Sequence, residues 1–277
     1  MIRLTGFLMA FLLLGPCIAK AEQRCSKISG TCFEWPLIPD GSKLQRKATT
    51  GVWSKPDGDG PFPAIILAES CGGSTEAVNK DWPKFFNALG YATYTPRLLE
   101  PMGHKYCPGV KFVVANDNRA EMIKTLFSAL DEMGEKSYVN KSQIGIIGYS
   151  LGSILIRDLL EVKDLVSSTG LTFNKSIMLY GTCTLIDRRG PQTPTLIIQA
   201  EMELKSHKVK SDVCNKVKDA KLPNLNYVVL EGAYHAFDDS SKTTIKKDVA
   251  GTEMLYNKEA TDKAKDLIKS FLSSNAN

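Results

Sequence analysis

Short runs of consecutive apolar residues alternate along the chain with longer stretches in which apolar residues return every three or four positions. The runs are Ala64 to Ala68, Tyr91 to Thr95, Ile144 to Tyr149, Ser176 to Tyr180, Pro194 to Ala200 and Leu225 to Leu230. A run this short with no polar alternation predicts a strand buried on both faces. Ala48 to Ser54 is also strand-like and is followed by the dense turn Pro56-Asp57-Gly58-Asp59-Gly60-Pro61. Between the runs, the pattern predicts helices: one ending near Leu89 with Gly90 as its cap, and one from Val113 to Met133, where Met122, Leu126, Ala129, Leu130 and Met133 share a face. Further helices are expected from Ser150 to about Val162, from Ala200 to about Val217, and from Lys258 to Leu272. Strands alternating with helices imply an α/β fold, a mostly parallel sheet with helices on both faces. No repeat or low-complexity linker divides it, so residues 22–277 read as a single domain with a short N-terminal arm.

The first residues break this pattern. Arg3 precedes a charge-free stretch from Leu4 to Leu14, Gly15-Pro16 ends it, and Ala19-Lys20-Ala21 has the small-x-small form that signal peptidase cuts. The stretch falls well short of the ~20 apolar residues needed to span a bilayer. Residues 1–21 are therefore expected to be a removed signal peptide, with the protein periplasmic or secreted and without a stable membrane span. The formal net charge is +5, and two of those charges, Arg3 and Lys20, belong to the leader. With no basic stretch carrying interleaved aromatics, nucleic acid is not an expected partner.

Cysteine usage fits export. Beyond Cys17 the chain has Cys25, Cys32, Cys71, Cys107, Cys183 and Cys214, an even set of the kind that forms disulfides in an oxidising compartment. Proximity in sequence and the expected strand order favour the pairs Cys25–Cys32, Cys71–Cys107 and Cys183–Cys214. No Cys-x-x-Cys pair or zinc-spaced histidine cluster occurs, so neither a metal nor another cofactor is expected.

The chemistry centres on Gly148-Tyr149-Ser150-Leu151-Gly152, a Gly-x-Ser-x-Gly pentapeptide at a predicted strand-to-helix corner. Such a corner lifts the serine hydroxyl clear of the chain, which makes Ser150 the candidate nucleophile. A serine needs a base to take its proton, and the usual base is a histidine held by a carboxylate. Of the three histidines, His104 and His207 lie in polar surroundings, whereas His235 follows the last apolar strand. The acid is expected at a strand end between serine and histidine. Glu203 is the first choice there and Glu201 the second. Oxyanion stabilisation needs two backbone N–H donors, one from Leu151 and one from Ser70 or Cys71 in the Gly-rich loop after the Ala64–Ala68 strand.

Taken together, the Pro63–Ala68 strand with Glu69 and Gly72-Gly73, the Gly-Tyr-Ser-Leu-Gly elbow, the Pro-Thr-Leu-Ile-Ile strand with its acids, and Tyr234-His235-Ala236-Phe237 resemble the dienelactone hydrolase family of α/β-hydrolases. The resemblance implies an α/β-hydrolase fold, a Ser150–Glu203–His235 triad and oxyanion donors at Ser70 and Leu151. It also implies a small-molecule ester or lactone as substrate, cleaved through an acyl-enzyme. Ser150 stands where the dienelactone hydrolases proper have cysteine, and Glu203 where they have aspartate. Their two substrate-carboxylate arginines have only an approximate counterpart in Arg97, and Asp238-Asp239 follow the histidine instead. Glu69 either hydrogen-bonds Ser150 Oγ, or disfavours anionic substrates near the oxyanion site, or faces away and caps the following loop. Two further readings are a non-catalytic binding or scaffold protein that kept the fold, and a cysteine hydrolase using Cys71. No feature of the sequence sets the oligomeric state.

Overall fold

The computed structural model describes residues 23–25, 32–34, 38–39, 41–183 and 191–274. Strands β1 (Gln23–Cys25) and β2 (Cys32–Glu34) form a small antiparallel pair in which Cys25 lies opposite Cys32. The side chains of that pair, and with them the expected Cys25–Cys32 bond, lie outside the described residues, as does the expected signal peptide.

The main sheet contains β3 (Gly51–Ser54), β4 (Phe62–Ala68), β5 (Ala92–Pro96), β6 (Val139–Tyr149), β7 (Ser176–Leu179), β8 (Thr195–Ala200) and β9 (Leu225–Leu230). Their spatial order is β3-β5-β4-β6-β7-β8-β9. Only β3 runs antiparallel to its neighbour, and every other pairing is parallel. The mostly parallel α/β sheet read from the apolar runs is the one observed.

Alternation along each strand sends side chains to two cores. Ala64, Ile66 and Ala68 of β4 and Ile144 and Ile146 of β6 pack with helices α3 (Asn116–Gly134) and α4 (Leu151–Leu160). Ile65 and Leu67 of β4 and Ile147 and Tyr149 of β6 pack on the other face, with Trp82 and Phe86 of α1 (Trp82–Ala88) and Ala264 and Ile268 of the C-terminal helix α7 (Lys258–Ser273). Both faces are covered, which is why these strands carry no polar alternation. Each fully buried Ile or Leu contributes about 1.5–3 kcal/mol by removal from water.

Two predicted helices are broken in the structure. The one expected over Val113–Met133 is instead α2 (Val110–Val114) and α3, separated at Ala115, whose ψ of 123° is extended. The carbonyls that a continuous helix would have used are taken by side chains: Asn118 Nδ2 donates to Phe112 O at 3.0 Å and Arg119 Nη1 to Val113 O at 3.4 Å. The helix expected after Ala200 divides at His207 into α5 (Glu201–Ser206) and α6 (Lys208–Asp219). A hairpin of two-residue strands, β10 (Lys246–Lys247) and β11 (Glu253–Met254), was not expected. Strands that short leave no periodicity to read. Among the described residues no helix is long and apolar enough to cross a membrane.

Chain connections leave β4 toward β5 on one side, whereas β6 leads to β7, β8 and β9 on the other. The carboxyl ends of β4 and β6 therefore flank a topological switch point, where open parallel sheets form a crevice.

Candidate active site

Ser150 sits at that crevice, between the last residue of β6 and the first of α4. Its φ of 52° and ψ of −104° lie in a region that side chains rarely adopt, held by Ser150 N donating to Leu179 O at 3.1 Å. The turn is tight enough to demand glycine on both sides. A Cβ on Gly148 would lie 2.4 Å from the Gly152 carbonyl, and one on Gly152 would lie 2.2 Å from Ala68 O.

His235 follows β9, and its loop is clipped to the small hairpin by His235 N donating to Glu253 O (3.2 Å) and Leu255 N to His235 O (3.3 Å). Its Nε2 is 2.9 Å from Ser150 Oγ, and its Nδ1 is 2.9 Å from Glu203 Oε2. The Tyr180 ring and the imidazole meet in a T-shaped contact with centroids 4.9 Å apart. Ser150, His235 and Glu203, which lie far apart in sequence, are thus joined in one hydrogen-bonded line.

Glu203 projects from the first turn of α5, directly after β8, and is buried. Its second oxygen, Oε1, accepts from Lys210 Nζ across the break at His207. Burial pushes the carboxyl pKa up, but the charges and hydrogen bonds of His235 and Lys210 outweigh it and hold the group at about 2. Glu201, the second choice for the acid, is instead tied to Gly232 N at 2.9 Å and to Lys205 Nζ at 2.8 Å. It anchors the start of the histidine loop rather than the imidazole.

Ser70 and Cys71 face Ser150 from the loop after β4, and both line a cavity with it. Leu151 begins α4, so its N–H has no acceptor within that helix. Cys71 is bonded to Cys107, with Cα atoms 4.8 Å apart, which removes it as a free thiol nucleophile and fixes the loop that carries Ser70. Cys183 is bonded to Cys214, and both line the cleft. Two of the three expected disulfides are therefore present among the described residues.

Of the readings open for Glu69, the one that turns it away from Ser150 is observed, and the expectation for Arg97 is corrected. Glu69 does not touch Ser150: its buried Oε1 accepts from Leu98 N (2.7 Å) and Leu99 N (3.0 Å), pinning the chain just beyond β5. Burial raises its pKa against the lowering effect of those two donors. The extended strand end points the side chain sideways to β5 rather than forward into the crevice. Arg97 donates to Asn79 Oδ1 at 3.0 Å and lies 3.6 Å from Glu100, outside the residues lining the cavities at Ser150. It does not stand in for a substrate-binding arginine. Asp238 turns into the core, accepting from Trp82 Nε1 at 2.6 Å, with its pKa raised by burial.

Two cavities meet at Ser150. A cleft of about 640 Å³ is walled by Val110, Val113, Ile154, Val213 and the Cys183–Cys214 bond. A smaller space of about 330 Å³ is bordered by Ser70, Gly72, Asp239, Lys242 and Lys247. His235, Tyr180, Cys71, Asp248 and Val249 border both. Lys210 and Asp248 were not anticipated. Lys210 is one of many lysines on a charged helix, and Asp248 sits in a turn that only the tertiary fold carries to the histidine.

Residues 49–275 match the family model described as the dienelactone hydrolase family. Among curated proteins, none matches the chain. Solved structures with a similar fold include one from Klebsiella pneumoniae subsp. pneumoniae assigned as a dienelactone hydrolase (TM-score 0.60, 14% identity, covering 83% of this chain and 100% of that one). A dienelactone hydrolase-like promiscuous phosphotriesterase from metagenomic libraries has a TM-score of 0.59 at 14% identity, covering 82% and 97% of the two chains. Esterase 2 of Thermogutta terrifontis, solved after phosphoramylation by tabun, has a TM-score of 0.56 at 16% identity, covering 84% and 92%. At these identities the likenesses speak for the fold, and the family match, which spans most of the sequence, speaks for the kind of chemistry. The chain belongs to the dienelactone hydrolase family and is a hydrolase of the α/β-hydrolase fold.

Proposed function

We propose that this hydrolase is an exported serine esterase that cleaves small esters or lactones through an acyl-enzyme on Ser150. The observation that carries the reading is the line from Ser150 Oγ to His235 Nε2 and from His235 Nδ1 to Glu203, each step 2.9 Å. In the first half-reaction Ser150 Oγ attacks the carbonyl carbon while Nε2 takes its proton. The Glu203 carboxylate holds the Nδ1 proton and stabilises the imidazolium. The carbonyl oxygen, now anionic, is received by the N–H groups of Ser70 and Leu151. Collapse breaks the bond to the leaving oxygen, which takes the proton from Nε2. Water then repeats the sequence on the acyl-enzyme, returning Ser150 and releasing the acid. The wider cleft, with aliphatic side chains and a disulfide for walls, suits an uncharged acyl group. Export is supported by the leader pattern and by two disulfides of a kind that persist in oxidising compartments.

The test is covalent labelling. A fluorophosphonate is expected to modify Ser150, located by peptide mass spectrometry, and Ser150→Ala is expected to lose at least about a thousandfold in kcat toward short p-nitrophenyl esters. A folded protein that takes up no label and turns over no ester would leave the non-catalytic binding reading in its place.

A further inference from the structure

The turn of the β10–β11 hairpin carries Asp248, and two backbone donors hold it rigidly: Ala250 N and Thr252 N, each 2.8 Å from Oδ1. The hairpin is fastened in turn to the histidine loop by a bridge between His235 and Met254 and by the two backbone bonds that flank His235. These contacts leave Oδ2 facing the imidazole edge that meets Ser150, 3.9 Å from His235 Nε2. That is too long for a hydrogen bond to the ring. It is the distance expected of a group that shares with Nε2 the space a substrate must enter.

We propose that Asp248 is a specificity-determining residue that selects esters by the charge of the leaving group, favouring cationic over neutral and neutral over anionic ones. The proposal rests on the esterase reading above. Nε2 must come within hydrogen-bond reach of the leaving oxygen to return the proton, so a carboxylate 3.9 Å from Nε2 is an immediate neighbour of that oxygen and of its first substituents. Asp248 also borders both cavities, so neither limb of the substrate avoids it.

The cations around the site are mostly engaged elsewhere. Lys210 pairs with Glu203, Lys242 with Asp239 at 3.0 Å, and Lys208 with Asp212 at 3.4 Å. His207 is 3.4 Å from Thr252 Oγ1. Lys247, the remaining cation at the smaller cavity, is exposed to solvent, whereas the Asp248 side chain is only 17% exposed. The less screened charge dominates at the reacting atoms. A unit charge about 5 Å away in a partly open cleft changes kcat/KM by about tenfold.

Three butyrate esters test this, with leaving groups 2-(trimethylammonio)ethanol, 3,3-dimethylbutanol and 2-sulfoethanol, against the mature protein and its Asp248→Asn variant. Asparagine keeps an oxygen for Ala250 N and Thr252 N, and a thermal melt reports whether the variant folds. The wild type is expected to show kcat/KM falling about tenfold per step from cation to neutral to anion, with the spread narrowing as salt is raised. In Asp248→Asn, the ratios to the neutral ester are expected to collapse to within about threefold. A wild type with no charge order overturns the proposal even if the variant fails to fold. Retention of the order in Asp248→Asn overturns it, as does a common loss on all three esters with the ratios kept, which would make Asp248 a support for His235. If the wild type hydrolyses none of the esters and takes no fluorophosphonate, the esterase reading itself has failed.

Discussion

Glu203 is held ionised by His235 and Lys210 together, and acid undoes both contacts. Its folded pKa of about 2 lies below the ordinary carboxylate value of 4.5, so the unfolded chain binds a proton between those values that the folded chain does not. Stability from this group is complete above about pH 4.5 and is lost as the pH falls toward 2. Its worth is on the order of a few kcal/mol. Urea midpoints measured from pH 6 down to pH 2.5 are expected to fall more steeply for the wild type than for Glu203→Gln, whose amide cannot titrate. Parallel curves would mean that the carboxylate is not held by His235 and Lys210. The methylene that distinguishes glutamate from aspartate was visible in the sequence, but its use was not. It spans from the first turn of a short helix to an imidazole on the neighbouring loop. Glu201 and Glu203 are equivalent as sequence, and only their direction around α5 separates the anchor of Gly232 from the partner of His235.

At the scale of elements, the loop after β4 is built to stay where it is. Gly73 has a positive φ of 63°, and a Cβ there would lie 2.1 Å from Lys105 O, so the loop and the segment before Cys107 run in direct contact. Cys107 N donates to Cys71 O at 2.9 Å beside the Cys71–Cys107 bond, and Glu69 pins the same neighbourhood through Leu98 and Leu99. Closing a loop with a separation of 36 residues stabilises the fold by about 2–4 kcal/mol. The Cys71→Ser/Cys107→Ser double variant is expected to lose that amount in a denaturant titration. On the esterase reading it should also lose more in kcat than in KM, because the proposed oxyanion donor Ser70 would no longer be held in place. A kcat equal to the wild type's would show that backbone contacts alone position the loop. The pairing was legible from the expected strand order, whereas the role of Glu69 was not, because a residue at a strand end can turn to either side.

For the whole molecule, the disulfides and the leader make one joint prediction. If the signal peptide is removed after Ala21, the exported protein begins at Glu22 and retains six cysteines, of which four are paired in the structure. The third bond expected from the sequence is Cys25–Cys32, and the register sets those two residues opposite one another. Denatured, unreduced protein recovered from outside the cytoplasm is expected to titrate no free thiol, and its N-terminal peptide to start at Glu22. Two free thiols would remove the third bond, and an intact leader would remove the export reading.

Read alone, the sequence determined the sheet, because a strand buried on both faces must be apolar throughout and the chain shows such runs in order. It also singled out Ser150 and His235, because an elbow serine needs small neighbours on both sides and the chain has few histidines from which to choose. Tertiary structure decided the rest: which glutamate turns to the imidazole, that Lys210 supports it across a helix break, that Arg97 and Glu69 face away, and that Asp248 arrives beside Nε2. Each of these depends on the direction of a side chain or the path of a short loop. Such features are set by long-range contacts and leave no period in the sequence.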